Sequence, residues 1–283
     1  MRLLVTGAAG MCAREVLGVA TARGHEVLAP DERDLDVCDR SVLARAFAEL
    51  RPDAIVNCAA WTDVDGAESS EDAALAVNGV APGLLAEAAN DCGAHLVHIS
   101  TDYVFDGSAK SPYVESDLPN PQTAYGRTKL AGERAVLGAG GGHAIVRTAW
   151  LFGVGGRNLV ATMLKLASDG RDEVGVVADQ IGCPTYAGHL ARALVDVAEL
   201  RLRGVMHVAG GGQCSWAELA AATFAACDID CRVRPLTTKE YPLPAPRPAW
   251  SVLASERPDV PRLPPWQDGL ATYLEQVRVE ASR

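Results

Sequence analysis

The sequence predicts an α/β chain built on a parallel sheet with helices on both faces, and three observations carry that reading. Short apolar runs alternate with amphipathic stretches through the first half. Those runs are apolar at nearly every position, as strands buried on both sides are; a sheet with one wet face would alternate instead. The first run also ends in a glycine turn that opens directly into a helix. At 283 residues the chain can hold one large domain with a smaller appended lobe. Aromatic residues make up only 5% of it, so aliphatic side chains and alanine must fill the core.

The elements follow in order. LLVTG (3–7) is a strand closed by glycine, and MCAREVLGVATARG (11–24) is a helix ended by Gly24. HEVLAP (25–30) is the second strand. Asp39 stands where its carboxylate can accept from the free N–H groups of a helix through RSVLARAFAEL. DAIVNCAA (53–60) is the third strand, and APGLLAEAANDCG follows as a helix with Pro82 in its first turn, where a missing N–H is harmless. HLVHIST (95–101) is the fourth strand, TAYGRTKLAGERAVL (123–137) a helix and HAIVRTAW (143–150) the fifth strand, with glycines 138–142 as a surface loop before it. Beyond Trp150 the pattern loosens. RNLVATMLKLASDG (157–170) is helical, EVGVV (173–177) and GVMHV (204–208) are strands, and a helix runs between them from about Thr185 to Leu200. SWAEL carries a capping box, Ser215 with Glu218 three residues on. PLTTKEYPLPAPRPAW has too much proline to be helical throughout, and a last amphipathic helix starts near Trp266.

Charge and cysteine usage exclude several classes. The formal net charge is −10 and no Lys/Arg cluster occurs, which argues against a phosphate-tracking nucleic-acid surface. MRLLVTGAAG enters the first strand without an apolar leader, and no run approaches membrane-spanning length, so a cytoplasmic chain without a membrane partner is expected. The eight cysteines are scattered without a CxxC, as expected of reduced thiols rather than a disulfide framework. His95 and His98 lie near Cys92, but positions three apart on a strand face opposite ways, so no shared metal is expected.

The chemistry starts at V-T-G7-A-A-G10-M-C-A13. Gly7 and Gly10 make a tight turn whose backbone can approach a pyrophosphate, and the following helix N-terminus favours that charge. At the first strand–helix junction of an alternating chain, this is the phosphate turn of a Rossmann-type doubly wound sheet, which points to a dinucleotide. Asp31 is placed to take a ribose 2′-OH and Arg33 to favour a 2′-phosphate, so NADH and NADPH both stand open; the LDV run at 35–37 can line the adenine. Tyr125 and Lys129 are four apart and share a helix face. A nearby ammonium lowers a phenol pKa towards the range useful for proton transfer. Gly126 and Gly132 are expected to leave room on that face, and Ser100-Thr101-Asp102 closes a strand at the edge where open parallel sheets bind ligands.

Taken together, these residues resemble the extended short-chain dehydrogenases/reductases, and within them the dTDP-4-dehydrorhamnose reductases. The resemblance rests on GAAGMCA (7–13), NCAAWTDVDGAE (57–68), VN (77–78), STDYVFDG (100–107), YGRTK (125–129), RTAW (147–150), DQIGCPT (179–185) and RPAWSVL (247–253), in that order. It implies Thr101, Tyr125 and Lys129 as the catalytic set. It implies Gly7, Gly10, Met11 and Cys12 at the pyrophosphate, Asp36 and Val37 beside the adenine, and Ala60, Trp61 and Thr62 along the cofactor with Tyr125 and Lys129. Thr101, Asp102 and Trp150 are implied as substrate contacts. Met11-Cys12-Ala13 departs from the family's usual small residue followed by glycine, so the packing of helix on cofactor is expected to differ.

The implied fold is a dinucleotide-binding domain of residues 1–150 plus about 174–204, interleaved with a smaller α/β C-terminal substrate lobe of about 151–173 plus 205–283. The implied activity is NAD(P)H-dependent reduction of a dTDP-4-keto sugar to dTDP-L-rhamnose, without metal, in a possible homodimer. Two alternatives stand beside it: a reductase of a related dTDP-4-keto sugar, as in dihydrostreptose formation, and a non-catalytic NADP-binding regulatory subunit. Four features are left over. Asp63, Asp65 and Glu68 read as caps or a solvated loop. Asp179 and Gln180 read as shaping the substrate side or as a structural turn. Arg247 reads as a diphosphate partner or a surface arginine, and Trp216 and Trp250 as packing.

Overall fold

The computed structural model describes residues 1–281. The first half builds β1 (Arg2–Thr6), α1 (Met11–Ala22), β2 (Glu26–Leu28), α2 (Arg40–Leu50), β3 (Ala54–Asn57), α3 (Val64–Ser69), α4 (Glu71–Leu75), a π-turn (Ala76–Val80), α5 (Ala81–Cys92), β4 (His95–Thr101), α6 (Ala124–Gly138) and β5 (Ala144–Thr148). The second half adds β6 (Leu151–Phe152), α7 (Leu159–Ser168), β7 (Glu173–Val177), β8 (Ile181–Gly182), β9 (Thr185–Tyr186), α8 (Ala187–Glu199), β10 (Gly204–His207), β11 (Cys214–Ser215), α9 (Trp216–Ala226), β12 (Arg232–Leu236) and α10 (Trp266–Ala281).

The main sheet is parallel throughout, in the order β10-β5-β4-β3-β1-β2. Side chains alternate between two covered faces. Leu3, Val5, Val56, Val97 and Val146 pack with α1 and α8 on one side; Leu4, Ile55, Leu96 and Ile145 pack with α2 and α5 on the other. The chain steps from β1 out to β2, then back to β3 on the other side of β1, so the sheet's switch point opens between the carboxyl ends of β1 and β3.

The expected caps are present. Asp39 accepts from Ser41 N and Val42 N, and Ser215 exchanges backbone and side-chain bonds with Glu218. Gly138 closes α6, and Gly140, Gly141 and Gly142 all take positive φ in the loop before β5. Helices α3 and α4 are absent from the sequence reading. Six and five residues long, VDGAES and EDAAL, they are too short and carry too few large apolar residues to show helical spacing. Two strands also fall on the other side of the expected domain division. β7 ladders in parallel with β12, away from the main sheet, and β10 completes the main sheet beside β5. An apolar run announces a strand but not the edge it joins.

One buried ion pair ties helix to sheet. Arg147 on β5 makes two bonds to Glu133 on α6, Nε to Oε1 at 2.8 Å and Nη2 to Oε2 at 2.7 Å, with side chains only 4% and 2% exposed. Ser100 on β4 donates to Glu133, His207 on β10 stands 3.3 Å from Arg147, and Phe105 lies under the guanidinium at 5.1 Å. Removing one partner strands the other charge in the core, so Glu133→Ala is expected to cost about 3–5 kcal/mol of stability. Glu133→Gln, which keeps one acceptor oxygen for Ser100 and Arg147 Nε, costs less. Urea unfolding of both variants checks the order.

Candidate active site

The site assembles where the carboxyl ends of β1, β3 and β4 meet α6. Gly7 takes φ +64°, and a Cβ there would lie 2.8 Å from Ala59 N and 2.9 Å from Cys58 C. Gly10 N bonds back to Gly7 O at 2.9 Å, and Gly10 begins α1 with no side chain capping its first turn. The turn, its uncapped N–H groups and the adjacent switch-point crevice fit a dinucleotide pyrophosphate. The departure at Met11 has its compensation: Cβ atoms at Gly153 and Gly156 would meet Met11 at 3.2 and 2.9 Å. The bulk of Met11 is thus taken up by a glycine loop. Cys12 is buried in the core under α1.

Asp36 accepts from Cys38 N at 2.8 Å and stays exposed, while Val37 packs against the core beside it. Ala60, Trp61 and Thr62 follow β3. Asn78, fully buried in the π-turn, holds this stretch: Trp61 N donates to its Oδ1 at 2.9 Å, and its Nδ2 donates to Trp61 O and to Thr128 on α6. Trp61 and Tyr125 both pack against the small cluster of Ala67, Ala74 and Ala124. VN (77–78) counts towards the resemblance, but the sequence assigns Asn78 no role, because one asparagine in an alanine-rich stretch gives no signal of a contact with α6.

Thr123 caps α6 through Gly126 N, and Glu68 accepts from Ala124 N at 2.9 Å. The helix therefore starts immediately before Tyr125. The room expected at the α6 glycines is filled by backbone: a Cβ at Gly126 would lie 2.2 Å from Tyr103 O, and one at Gly132 would lie 2.1 Å from Asn78 O. Those glycines press α6 onto its neighbours. Lys129 is buried, and its Nζ donates to Ile99 O on β4 at 2.6 Å. Burial pushes its pKa down to about 8, and Glu133 pulls it back up only in part.

Thr101 ends β4 and brings its hydroxyl to two neighbours. It donates to Asp102 Oδ1 at 2.9 Å, and it lies near enough to the Tyr125 phenol to pull the phenol's pKa down. The expected lowering of the Tyr125 pKa by Lys129 is not what the structure has. Burial pushes the phenol up to about 12, Thr101 pulls down, and the Asp102 charge pushes up. Desolvation outweighs an ammonium that is itself committed to a carbonyl.

A cleft of about 550 Å³ opens between α7, β7 and the proline-rich segment, lined by Tyr103, Gln180, Trp216, Tyr241 and Arg247 among others. Tyr103 links it to α6, its ring meeting Tyr125 edge-on at 5.6 Å. Trp150, in a left-handed conformation at φ +46°, stacks on Trp216 at 3.3 Å and 3°. Trp216 is thus the wall of the cleft and Trp150 lies behind it. Gly182 makes space for that ring, since a Cβ there would sit 2.3 Å from Trp150. Gln180 accepts from Trp216 Nε1 at 3.1 Å and donates to Thr238 at 3.0 Å, while Asp179 takes Thr238 N and Oγ1. The Asp179–Gly182 stretch holds one wall of the cleft. His95 packs near His143 and His98 meets Asn57, and no metal-binding cluster occurs among the described residues.

Asp102 is 2% exposed and its Oδ2 is buried without a partner, an acceptor suited to a sugar hydroxyl. Burial raises its pKa from 3.8 to about 6. The native fold therefore favours the neutral acid, a contribution fully present below the unfolded pKa and lost as pH rises through about 6. Asp102→Asn removes the buried charge. It is expected to raise the thermal stability above about pH 7 and to leave it unchanged below about pH 4. Melting curves at the two pH values check this; equal shifts at both would contradict it.

Comparison with known proteins gives one consistent answer. Residues 1–279 match the family model described as RmlD substrate binding domain. A probable dTDP-4,6-dihydroxy-2-methyloxan-3-one 4-ketoreductase of Streptomyces antibioticus is 45% identical over 260 residues, which are 91% of this chain and 88% of the relative. The dTDP-4-dehydrorhamnose reductase of Mycolicibacterium smegmatis is 44% identical over 271 residues, 94% of this chain and 82% of the relative. Among solved structures, the dTDP-4-dehydrorhamnose reductase of Bacillus anthracis in complex with NADP superposes with a TM-score of 0.94 at 35% identity, covering 97% of this chain and 99% of that one. With its whole length matched in sequence and in fold, the chain belongs to the dTDP-4-dehydrorhamnose reductase family.

Proposed function

We propose that this chain reduces the C4 ketone of dTDP-4-dehydro-6-deoxy-L-mannose to give dTDP-L-rhamnose. The observation that carries the reading is the convergence of Thr101, Tyr125 and Lys129 beside the glycine turn and crevice of a dinucleotide site. When bound, the nicotinamide cofactor supplies the hydride that the carbonyl carbon receives. As negative charge grows on the carbonyl oxygen, Thr101 turns its one proton from Asp102 Oδ1 to donate a hydrogen bond to it, and Tyr125 delivers the proton. A phenol with a pKa near 12 suits this direction. It keeps its proton at all physiological pH values, and an alkoxide is basic enough to take it. Lys129 spends one of its three donors on Ile99 O, which leaves two for the cofactor ribose. Asp102 Oδ2 accepts from the sugar, and the cleft beyond Tyr103 takes the nucleotide.

The Streptomyces antibioticus ketoreductase supports a second reading, a different dTDP-4-keto sugar reduced by the same residues. The enzyme chemistry is common to both. Offering each keto sugar with NADPH and identifying the alcohol formed separates them, and oxidation of NADPH with neither would sink both. NADPH is the favoured donor: the Arg33 side chain is exposed with no ion-pair partner among the described residues, while Asp31 commits its Oδ1 to Arg33 N and Asp34 N of its own turn.

Two expectations follow from these roles. Tyr125→Phe lowers turnover by about 10²–10⁴-fold while the dissociation constant for NADPH moves little; turnover near wild type would remove Tyr125 as the acid. Arg33→Ala weakens NADPH by about tenfold and leaves NADH unaffected, as read by fluorescence titration of each nucleotide.

A further inference from the structure

The acidic residues around α3 are neither a loose cluster nor a cation site. Asp63 caps α3 through Gly66 N at 3.0 Å, and Glu68 holds the first N–H of α6. Asp65 reaches across to the C-terminal part of the chain. Its Oδ1 accepts from Arg247 Nη1 and from Ala245 N, each at 3.0 Å, and its Oδ2 accepts from Arg247 Nη2 at 2.7 Å. The two side chains are 15% and 32% exposed, against 45% and 43% for the surface pair Arg127–Glu71.

The segment that Asp65 holds is a strap over the cleft. Residues 241–248 run Tyr-Pro-Leu-Pro-Ala-Pro-Arg-Pro, and Tyr241, Leu243 and Arg247 line the cavity. Its four prolines have no N–H to offer, so hydrogen-bonded tethers are scarce. Before the strap, Thr238 is tied to Asp179; at its end, Pro248 packs on Gly107, where a Cβ would lie 2.4 Å away. Between those points Asp65 is its one hydrogen-bonded anchor to the rest of the chain among the described residues. A guanidinium has five N–H donors in a planar fork. Arg247 uses three, two on Asp65 and one on Ala245 O, and Nε with the second Nη2 hydrogen is left over. Those two donors form one edge, the geometry that takes a phosphate with two parallel bonds.

We propose that Asp65 is a positioning residue for the sugar-nucleotide site: it fixes the strap and one edge of Arg247, and so leaves the other edge set for the substrate's diphosphate. The inference rests on the nucleotide-sugar reading above. It also has an electrostatic opposite. If Asp65 only competed with the diphosphate for Arg247, removing its charge would tighten anion binding.

The experiment is calorimetric titration of thymidine, dTMP and dTDP into the NADP-loaded protein, for wild type, Asp65→Asn, Asp65→Ala, Arg247→Ala and the double Asp65→Ala/Arg247→Ala variant. Positioning predicts that Asp65→Ala weakens dTDP by about tenfold with thymidine unchanged. Asp65→Asn, which loses the charge but keeps an acceptor oxygen, retains more affinity. The double variant binds dTDP no worse than Arg247→Ala, because the two residues act as one unit. A collapsed cleft would weaken thymidine equally, and that outcome overturns the inference. So does dTDP binding to Asp65→Ala at wild-type strength or tighter, or additive losses in the double variant. Wild-type protein that does not bind dTDP overturns the substrate class itself, and this inference with it.

Discussion

The site depends on the close docking of α6 against the end of β4. Successive residues of the strand each take one polar group from the helix's inner face: Ile99 O takes Lys129 Nζ, Ser100 bonds Glu133, and Thr101 meets Tyr125. The spacing of four residues along the helix places all three on one side. Glycines at 126 and 132 permit the approach, since any side chain there would strike the backbone of Tyr103 or Asn78. The buried pair of Glu133 with Arg147 then fixes the depth, because a charge this far from water has nowhere else to go. A small slide of α6 would separate all three contacts at once.

That docking also sets the electrostatics. Lys129 and Arg147 bring two buried cations to a region where Glu133 is the carboxylate shared between them. Burial holds Lys129 well below a free lysine, and Glu133 offsets only part of that. Tyr125 pays for the same burial with a raised pKa, and the neighbouring Asp102 adds to it. The general expectation for a tyrosine beside a lysine is a lowered pKa; here solvent exclusion wins. In the role proposed for Tyr125, giving a proton to a developing alkoxide, the loss is small. For the reverse reaction, which needs phenolate, the same environment would be a handicap.

Much of this was legible from residue order. The parallel sheet followed from uninterrupted apolar runs, and the Gly7–Gly10 turn and the Tyr125–Lys129 pair announced themselves by spacing. Glu133 carries the same spacing one turn further, but a glutamate in a helix is ordinarily solvated, so the sequence had no reason to bury it. The Arg147 that buries it belongs to a strand fourteen residues on. Asp65 and Arg247 are 182 residues apart, and no local pattern joins them. Similarly, β7 and β10 were recognisable as strands, while the sheets they extend were settled only by tertiary pairing. Periodicity reads what a segment is; it does not read what it touches.

Those long-range contacts converge on one short element. α3 follows directly from Ala60–Thr62 beside the cofactor crevice, and within six residues its carboxylates meet three structures: Asp63 its own N-terminus, Asp65 the strap over the cleft, and Glu68 the start of α6. Asn78 closes the ring by tying Trp61 to Thr128 on that same helix. The Ala60–Thr62 stretch is thereby tied both to the helix that carries Tyr125 and to the strap that carries Arg247. A helix of six residues has little stability of its own. It persists because its neighbours hold it at both ends.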